Sequence, residues 1–181
     1  MATEPVMSSI QAKASTMSLE KRFERVMADN TAAIWRLAAS YTKTASDRDD
    51  LFQEIAMAFW QALPAFRGES SERTYLFRIA HNRAMAVLSR RRLSLEPVDE
   101  ETDAPDTRPS PEERYAEQQQ QDQLLAATRR LPVPYRQVIT LALEGMDYAE
   151  IAEILGIEIG NVGARLTRAR GLLRTLMENT K

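Results

Sequence analysis

The chain has 181 residues, 44% of them apolar, enough to bury a core, so wholesale disorder is excluded. It has no cysteine and one histidine, which excludes disulfide scaffolds, thiolate metal sites, cysteine nucleophiles and multi-histidine metal centres. The formal charge of −2 hides segregation: residues 20–93 carry net +4, residues 94–123 net −8 and residues 124–181 net +2, two mildly basic bodies joined by a strongly acidic segment.

No apolar run is long enough to span a membrane, and residues 1–18 lack the charged lead and apolar stretch of a signal peptide. A cytoplasmic protein without membrane insertion is expected. Glycine occurs only 6 times, no window alternates with a period of two, and several repeat near 3.6. The chain therefore reads as all-α: two small helical domains joined by a flexible acidic linker, the C-terminal one with a helix-turn-helix.

Residues 1–18, rich in Ala, Ser, Thr and Met, are expected to form a flexible leader. An N-terminal domain follows over residues 19–93. Its first helix, 19–41, places Phe23, Val26, Met27, Ile34, Leu37 and Ala38 on one face. The second starts after Ser46 with Asp47, Asp49 and Asp50 in its first turn, where carboxylates suit the helix dipole. It turns Leu51, Ile55, Ala58, Phe59 and Ala62 inward and stops before Pro64. Residues 66–73 read as a loop, and a third helix spans 74–91. Residues 94–111 hold four prolines among acidic neighbours and read as linker. The C-terminal domain, 112–181, carries helices over 112–130, 135–144, 148–155 and 159–177.

Within it, Asp147-Tyr-Ala-Glu-Ile-Ala-Glu-Ile-Leu-Gly-Ile157 is a short helix closed by a left-handed cap at Gly156. The next helix repeats Ile159, Val162, Leu166, Ala169, Leu173 and Leu176 as an inward seam. The other side carries Asn161, Arg165 and Arg168, flanked by Arg170 and Arg174. A short helix, a tight turn and a longer helix with a basic outer face form a helix-turn-helix suited to the major groove, where Arg reads guanine or holds phosphate and Asn reads adenine. A plain helical hairpin with solvated arginines is the competing reading.

In the second helix Asp50, Gln53, Glu54, Met57 and Gln61 recur along one stripe. It is either a solvated face or a docking face where methionine adapts and the acids find arginine; Trp60 lies beside it. The third helix ends in Arg90-Arg91-Arg92. Upstream stand Ser70, Ser71, Arg73, Arg78 and Asn82, with Phe66, Tyr75 and Phe77 interleaved. Basic groups among aromatics suit single-stranded DNA, although each aromatic taken singly fits a core better. His81 reads as a surface or hydrogen-bonded residue rather than a ligand. No carboxylate, histidine and nucleophile gather in a catalytic pattern, so no enzyme, cofactor or small-molecule substrate is expected.

The series Asp50-Leu-Phe-Gln-Glu54, Tyr75-Leu-Phe-Arg-Ile-Ala-His-Asn82, Leu131-Pro-Val-Pro-Tyr-Arg-Gln-Val138, Glu144-Gly-Met-Asp-Tyr-Ala-Glu-Ile-Ala152 and Arg165-Leu-Thr-Arg-Ala-Arg170 resembles the extracytoplasmic-function (ECF) subfamily of RNA polymerase sigma factors over most of the chain. The resemblance implies a factor that binds core RNA polymerase and directs promoter-specific initiation, in response to stress or another signal. Core polymerase would be held by Asp50, Gln53, Glu54, Met57 and Gln61. The single-stranded −10 element would be held by Ser71, Arg73, Arg78, Asn82, Arg90 and Arg91. The duplex −35 element would be read by Asn161, Arg165, Arg168 and Arg170. The acidic linker would thread towards the active-site and RNA-exit channel. An anti-sigma factor is a further partner the resemblance implies for many relatives. The sequence departs from the family where Gly160-Asn-Val-Gly-Ala-Arg165 replaces the common Gly-Thr-Val-Lys-Ser-Arg, and where Tyr75 replaces a common Trp. The alternative is a two-domain helix-turn-helix regulator acting on duplex DNA without core polymerase; an interaction protein without DNA contacts is disfavoured by the arginines.

Overall fold

The computed structural model describes the backbone of residues 4–93 and 112–178, and side chains over 18–91 and 119–178. The expected linker, 94–111, lies outside the described residues, as does the side chain of Arg92. The described chain is all-α, as its periodicity implies. Helices α1 (Glu4–Tyr41), α2 (Ala45–Ala62) and α3 (Glu72–Leu93) form the N-terminal half. Helices α4 (Glu112–Arg130), α5 (Val133–Leu143), α6 (Tyr148–Leu155) and α7 (Ile159–Glu178) form the C-terminal half.

Helix α1 begins at Glu4, and residues 4–18 run into the first predicted helix without a break. The stretch is built from good helix formers such as Ala, Met, Gln and Lys, and its one proline, Pro5, falls in the first turn, where no amide bond is lost. Helix α2 begins two residues earlier than expected because Thr44 caps it, accepting a hydrogen bond from the Asp47 amide. Of the three expected acids only Asp47 therefore lies in the first turn. After Ala62 a short 3-10 turn, Leu63–Ala65, carries Pro64 and ends the helix. Helix α3 is entered through Ser71, whose hydroxyl accepts from the Thr74 amide at 2.9 Å.

The apolar stripes converge. Ile34, Leu37, Leu51, Ile55, Phe59, Leu76 and Phe77 are fully buried, each contributing about 2 kcal/mol through area removed from water. The core continues without a gap into the C-terminal half through Leu131, Val138, Leu141, Ile151, Val162 and Leu166. The two halves are thus packed on one another, α3 against α6 and α1 against α4 and α5. Four expected inward residues lie differently. Phe23, Ala62 and Leu176 are half-buried, and Ile159, expected to open the α7 seam, is 55% exposed. It stands at the first position of α7, a turn before Val162 meets the core.

Polar groups close the junction between the halves. Arg129 and Arg136 reach back to the carbonyls of Ala39 and Ser40 at the end of α1, at 2.8 and 3.4 Å. Arg136 also donates to the carbonyls of Arg129 and, at 3.0 Å, Leu131, with its guanidinium over the Tyr41 ring. His81 of α3 is 6% exposed and faces Gln137 of α5, Nε2 to Nε2 at 3.3 Å. Burial pulls the imidazole down to about 4 from 6.5, so it is neutral.

This buried neutral histidine makes acid destabilising. The unfolded chain takes up the proton near 6.5 and the folded chain only near 4, so His81 contributes fully above 6.5 and its contribution is lost as pH falls across that window. At about pH 5 the expected loss is about 2 kcal/mol relative to pH 7. Urea unfolding of the wild type and His81→Gln at both pH values measures it; parallel pH dependence in the two proteins would exclude the assignment.

Candidate nucleic-acid interface

The helix-turn-helix is set by local chemistry. The Asp147 carboxylate accepts from the Glu150 amide at 2.8 Å and Glu150 returns the bond to the Asp147 amide at 2.9 Å, a capping box that starts α6. Gly156 ends α6 at φ 63° and ψ 38°, a left-handed cap that a residue with a Cβ adopts only under strain. Ile151, Ala152 and Ile154 of α6 and Val162, Leu166, Ala169 and Leu173 of α7 are buried between them. This leaves Asn161, Arg168, Arg170 and Arg174 exposed on α7, while Arg165 is half-buried at the flank of the seam. Gly163 faces Tyr148 of α6: a Cβ there would stand 3.6 Å from the ring.

On α2, Asp50, Gln53, Met57 and Gln61 are exposed and Glu54 is half-buried, so the five stay together on one outer stripe. Met57 is 59% exposed, and Trp60 beside it is 38% exposed, with its ring edge-on to Phe23 at a centroid distance of 5.3 Å. Helix α2 is tied to α3 by two ion pairs, Arg90 to Glu54 of the stripe at 3.1 Å and Arg91 to Asp47 at 2.5 Å. Burial alone would push the Asp47 carboxyl up, but bonds from Thr44 and Arg91 outweigh it and hold it below the usual range.

The other α3 residues separate by face. Asn82 and Arg83 are exposed and line a cleft with Ala58, Ala62, Ile79 and Ala86 between α2 and α3. Ser71 is exposed at the helix entry. Of the aromatics, Phe77 is core; Tyr75 is half-buried and donates to the Ala62 carbonyl at 3.3 Å, and Phe66 packs on it with centroids 4.8 Å apart. Arg73 and Arg78 point at the C-terminal half. Arg73 binds the Glu144 carbonyl and Asn30, and Arg78 lies 3.6 Å from Glu153.

The junction partners Arg36, Glu144, Glu150, Glu153, Arg136 and Gln137 were not visible to sequence reasoning as a group. Only Glu150 carries a local signal, the Asp-x-x-Glu spacing of a capping box. Among the described residues no cluster of histidine and carboxylate side chains could hold a metal ion, and no helix is long and apolar enough to cross a membrane.

Comparison with known proteins agrees with this architecture. Residues 27–93 match the family description "Sigma-70 region 2" and residues 121–173 match "Sigma-70, region 4". The chain is 30% identical to the ECF RNA polymerase sigma-E factor of Escherichia coli K12, over 83% of this chain and 84% of that protein. It is 27% identical to the RNA polymerase sigma factor CnrH of Cupriavidus metallidurans, over 88% of each. A solved structure of similar fold is the sigma factor RpoE of Bartonella quintana in complex with the anti-sigma factor NepR, with a TM-score of 0.67 and 23% identity over 87% of this chain and 98% of that one. The fold and the two matched regions define a two-region sigma-70 protein. The chain belongs to the ECF RNA polymerase sigma factors, and it directs promoter-specific transcription initiation as part of RNA polymerase; the regulator acting without polymerase is not favoured.

The Gly163 geometry yields a stability test. A methyl at 3.6 Å from Tyr148 is in ordinary van der Waals contact, and alanine in a helix interior is favoured over glycine by about 1 kcal/mol. Gly163→Ala should therefore raise the thermal midpoint. Thermal unfolding followed by circular dichroism checks it, and a lowered midpoint would mean that the Tyr148 ring cannot accept the methyl.

Proposed function

We propose that the stripe Asp50, Gln53, Glu54, Met57 and Gln61 on α2 holds core polymerase, and that the gathering of these five on one outer face of α2, around the protruding Met57, carries the reading. Acids and amides flanking a protruding methionine offer charge partners for a basic helix and an adaptable apolar contact. Helix α3 then takes the −10 strand through Ser71, Arg73, Arg78, Asn82, Arg90 and Arg91. The α2–α3 cleft beside Asn82 supports this, since it offers a recess with polar and apolar walls to an unstacked base. Helix α7 takes the −35 duplex through Asn161, Arg168 and Arg170, with Arg165 at the edge.

The two domains are residues 19–93 and 112–181, and the acidic segment 94–111 is the linker that threads towards the active-site and RNA-exit channel, so that each domain reaches its own promoter element. Eighteen extended residues reach roughly 60 Å. The protein acts in the cytoplasm, without an enzymatic activity of its own. RpoE of Bartonella quintana is bound by an anti-sigma factor in its solved complex, and a partner of that kind is proposed for this chain as well.

The polymerase assignment is tested by charge. Asp50→Lys and Glu54→Lys place like charges against a basic partner, which costs several kcal/mol at an interface, so core binding should be lost. The fold should survive, because the ion pair lost, Arg90 to Glu54, is an exposed one of the kind worth about 0–1 kcal/mol. Leu51→Asp should instead unfold the domain, since Leu51 is 1% exposed and a buried charge there has no partner. The readouts are co-purification with core polymerase and far-ultraviolet circular dichroism. Full core affinity in both reversal variants would make the stripe a solvated surface.

The −35 assignment is tested on α7. Arg168 is exposed and outside the seam, so Arg168→Ala should leave the thermal midpoint unchanged and weaken −35 protection by the holoenzyme about tenfold, the loss of one good side-chain contact to a base pair. Undiminished footprinting would move the reading head to another face.

A further inference from the structure

We propose that Arg83 is a phosphate clamp for the −10 strand: its guanidinium holds the backbone beside the one nucleotide whose base enters the α2–α3 cleft, where Asn82 meets the base edge. The inference rests on the reading of α3 as the strand-binding helix and adds a residue to it. Its starting point is a difference among the arginines of α3. Arg73 donates to the Glu144 carbonyl and to Asn30, and lies over the Phe77 ring. Arg78 pairs with Glu153 at 3.6 Å and lies over the Tyr75 ring. Arg90 and Arg91 pair with Glu54 and Asp47. Arg83 is exposed, and no hydrogen bond, ion pair or ring contact joins it to another described residue. Among the α3 arginines with described side chains, it alone keeps its whole charge for a ligand.

Its surroundings give the reason. Leu76, Phe77, Ala80 and Ala84 fix the buried face of α3. Ile79, Asn82, Arg83 and Ala86, at spacings of three and four, therefore share the side turned to α2. Opposite them stand Ala58 and Ala62, one turn apart and uncharged. The acids of α2 that meet α3, Asp47 and Glu54, are both paired at its far end. Arg83 thus lines an otherwise uncharged recess with no carboxylate to neutralise it.

The recess measures about 350 Å³, at the low end for ligand pockets, which suits a single base and not a duplex. Its apolar walls fit the faces of a ring, and the Asn82 amide offers both donors and an acceptor to the ring's edge. A base seated there leaves its phosphate on the solvent side. Asn82 and Arg83 are successive residues of one helix and diverge by about 100°. The short side chain serves the base while the long one reaches the backbone, where its fork matches phosphate oxygens. The site lies wholly between α2 and α3 and involves no residue of the C-terminal half.

The test uses holoenzyme assembled from the full chain and core polymerase. The probe is a fluorescein-labelled single-stranded oligonucleotide carrying the −10 sequence that wild-type holoenzyme selects from a random pool. Arg83→Ala should weaken binding about tenfold, the loss of one charge-assisted hydrogen bond, and equally on oligonucleotides of every sequence. The slope of log affinity against log salt concentration should shrink by about 0.7, one phosphate on a single strand. Arg83→Lys should keep the slope, and the thermal midpoint of the free chain should not fall in either variant. A neutral methylphosphonate linkage, moved along the oligonucleotide, should weaken wild-type binding at one position and leave Arg83→Ala indifferent there.

Asn82→Ala should relax base preference at the adjacent position and leave the salt slope unchanged. If Asn82→Ala behaves so while Arg83→Ala keeps the wild-type slope, the cleft takes a base but Arg83 is not its clamp. A loss in Arg83→Ala confined to one base identity also overturns the clamp, since phosphate carries no sequence. If neither variant changes oligonucleotide binding, it is the reading of α3 as the strand-binding helix that fails.

Discussion

Helix α3 buries Leu76, Phe77, Ala80 and Ala84 completely, and the residues between them are left three directions in which to point. One is the cleft against α2, where Ile79, Asn82, Arg83 and Ala86 lie. Another is the C-terminal half, met by Arg73, Thr74, Arg78 and His81. The third is the far end, where Arg90 and Arg91 fold onto the acids of α2. A helix has 3.6 residues per turn, so a core stripe that fixes one face fixes the others as well. The placement of every −10 candidate on this helix follows from the burial of Phe77 and its neighbours.

The same stripe explains why charge is shared between functions. Asp47 and Glu54 stand close enough to α3 to pair with Arg91 and Arg90, while Asp50 and Gln53, on the adjacent positions, remain exposed. The α2 surface is therefore graded from acids that neutralise the basic end of α3 to an acid and an amide left open to solvent. Exposed pairs of this type contribute little to stability, and they can exchange an internal partner for an external one at small cost. Glu72 is used differently. Burial pushes its carboxyl up, but Arg22 and Arg25 outweigh that and hold it below the usual range, tying the start of α3 to α1.

Much of this was legible from spacing. The buried faces of α2, α6 and α7 repeat at helical intervals, and the left-handed Gly156 is marked by its place after an apolar run. The stripe from Asp50 to Gln61 was readable because exposure along a helix is the complement of burial. The start of α1 was not, since Ala, Ser and Thr are as common in loose segments as in helices. Ile159 fits the heptad-like pattern but sits too early in α7 to reach the core. Pairing between halves left no local trace: Arg36 and Glu144 are 108 positions apart, and a charged residue signals neither its partner nor its burial. His81 was open for the same reason, because its environment is made by α5, far away in sequence.

The C-terminal half is nearly neutral as a list of residues but polarised as a body. Of its acids, Glu144, Glu150 and Glu153 all meet the N-terminal half, through Arg36, Thr74 and Arg78. Its exposed arginines, Arg168, Arg170 and Arg174, lie along α7. The two helices of the helix-turn-helix thus present opposite signs. Helix α7 keeps the field a duplex requires, and α6 carries the field that a basic helix such as α3 accepts. A short capped helix with only three buried residues can serve both ends because its remaining side chains are not needed for packing. The helix-turn-helix in this sense has two sides of opposite sign, an acidic one turned to α3 of its own chain and a basic one left open on α7.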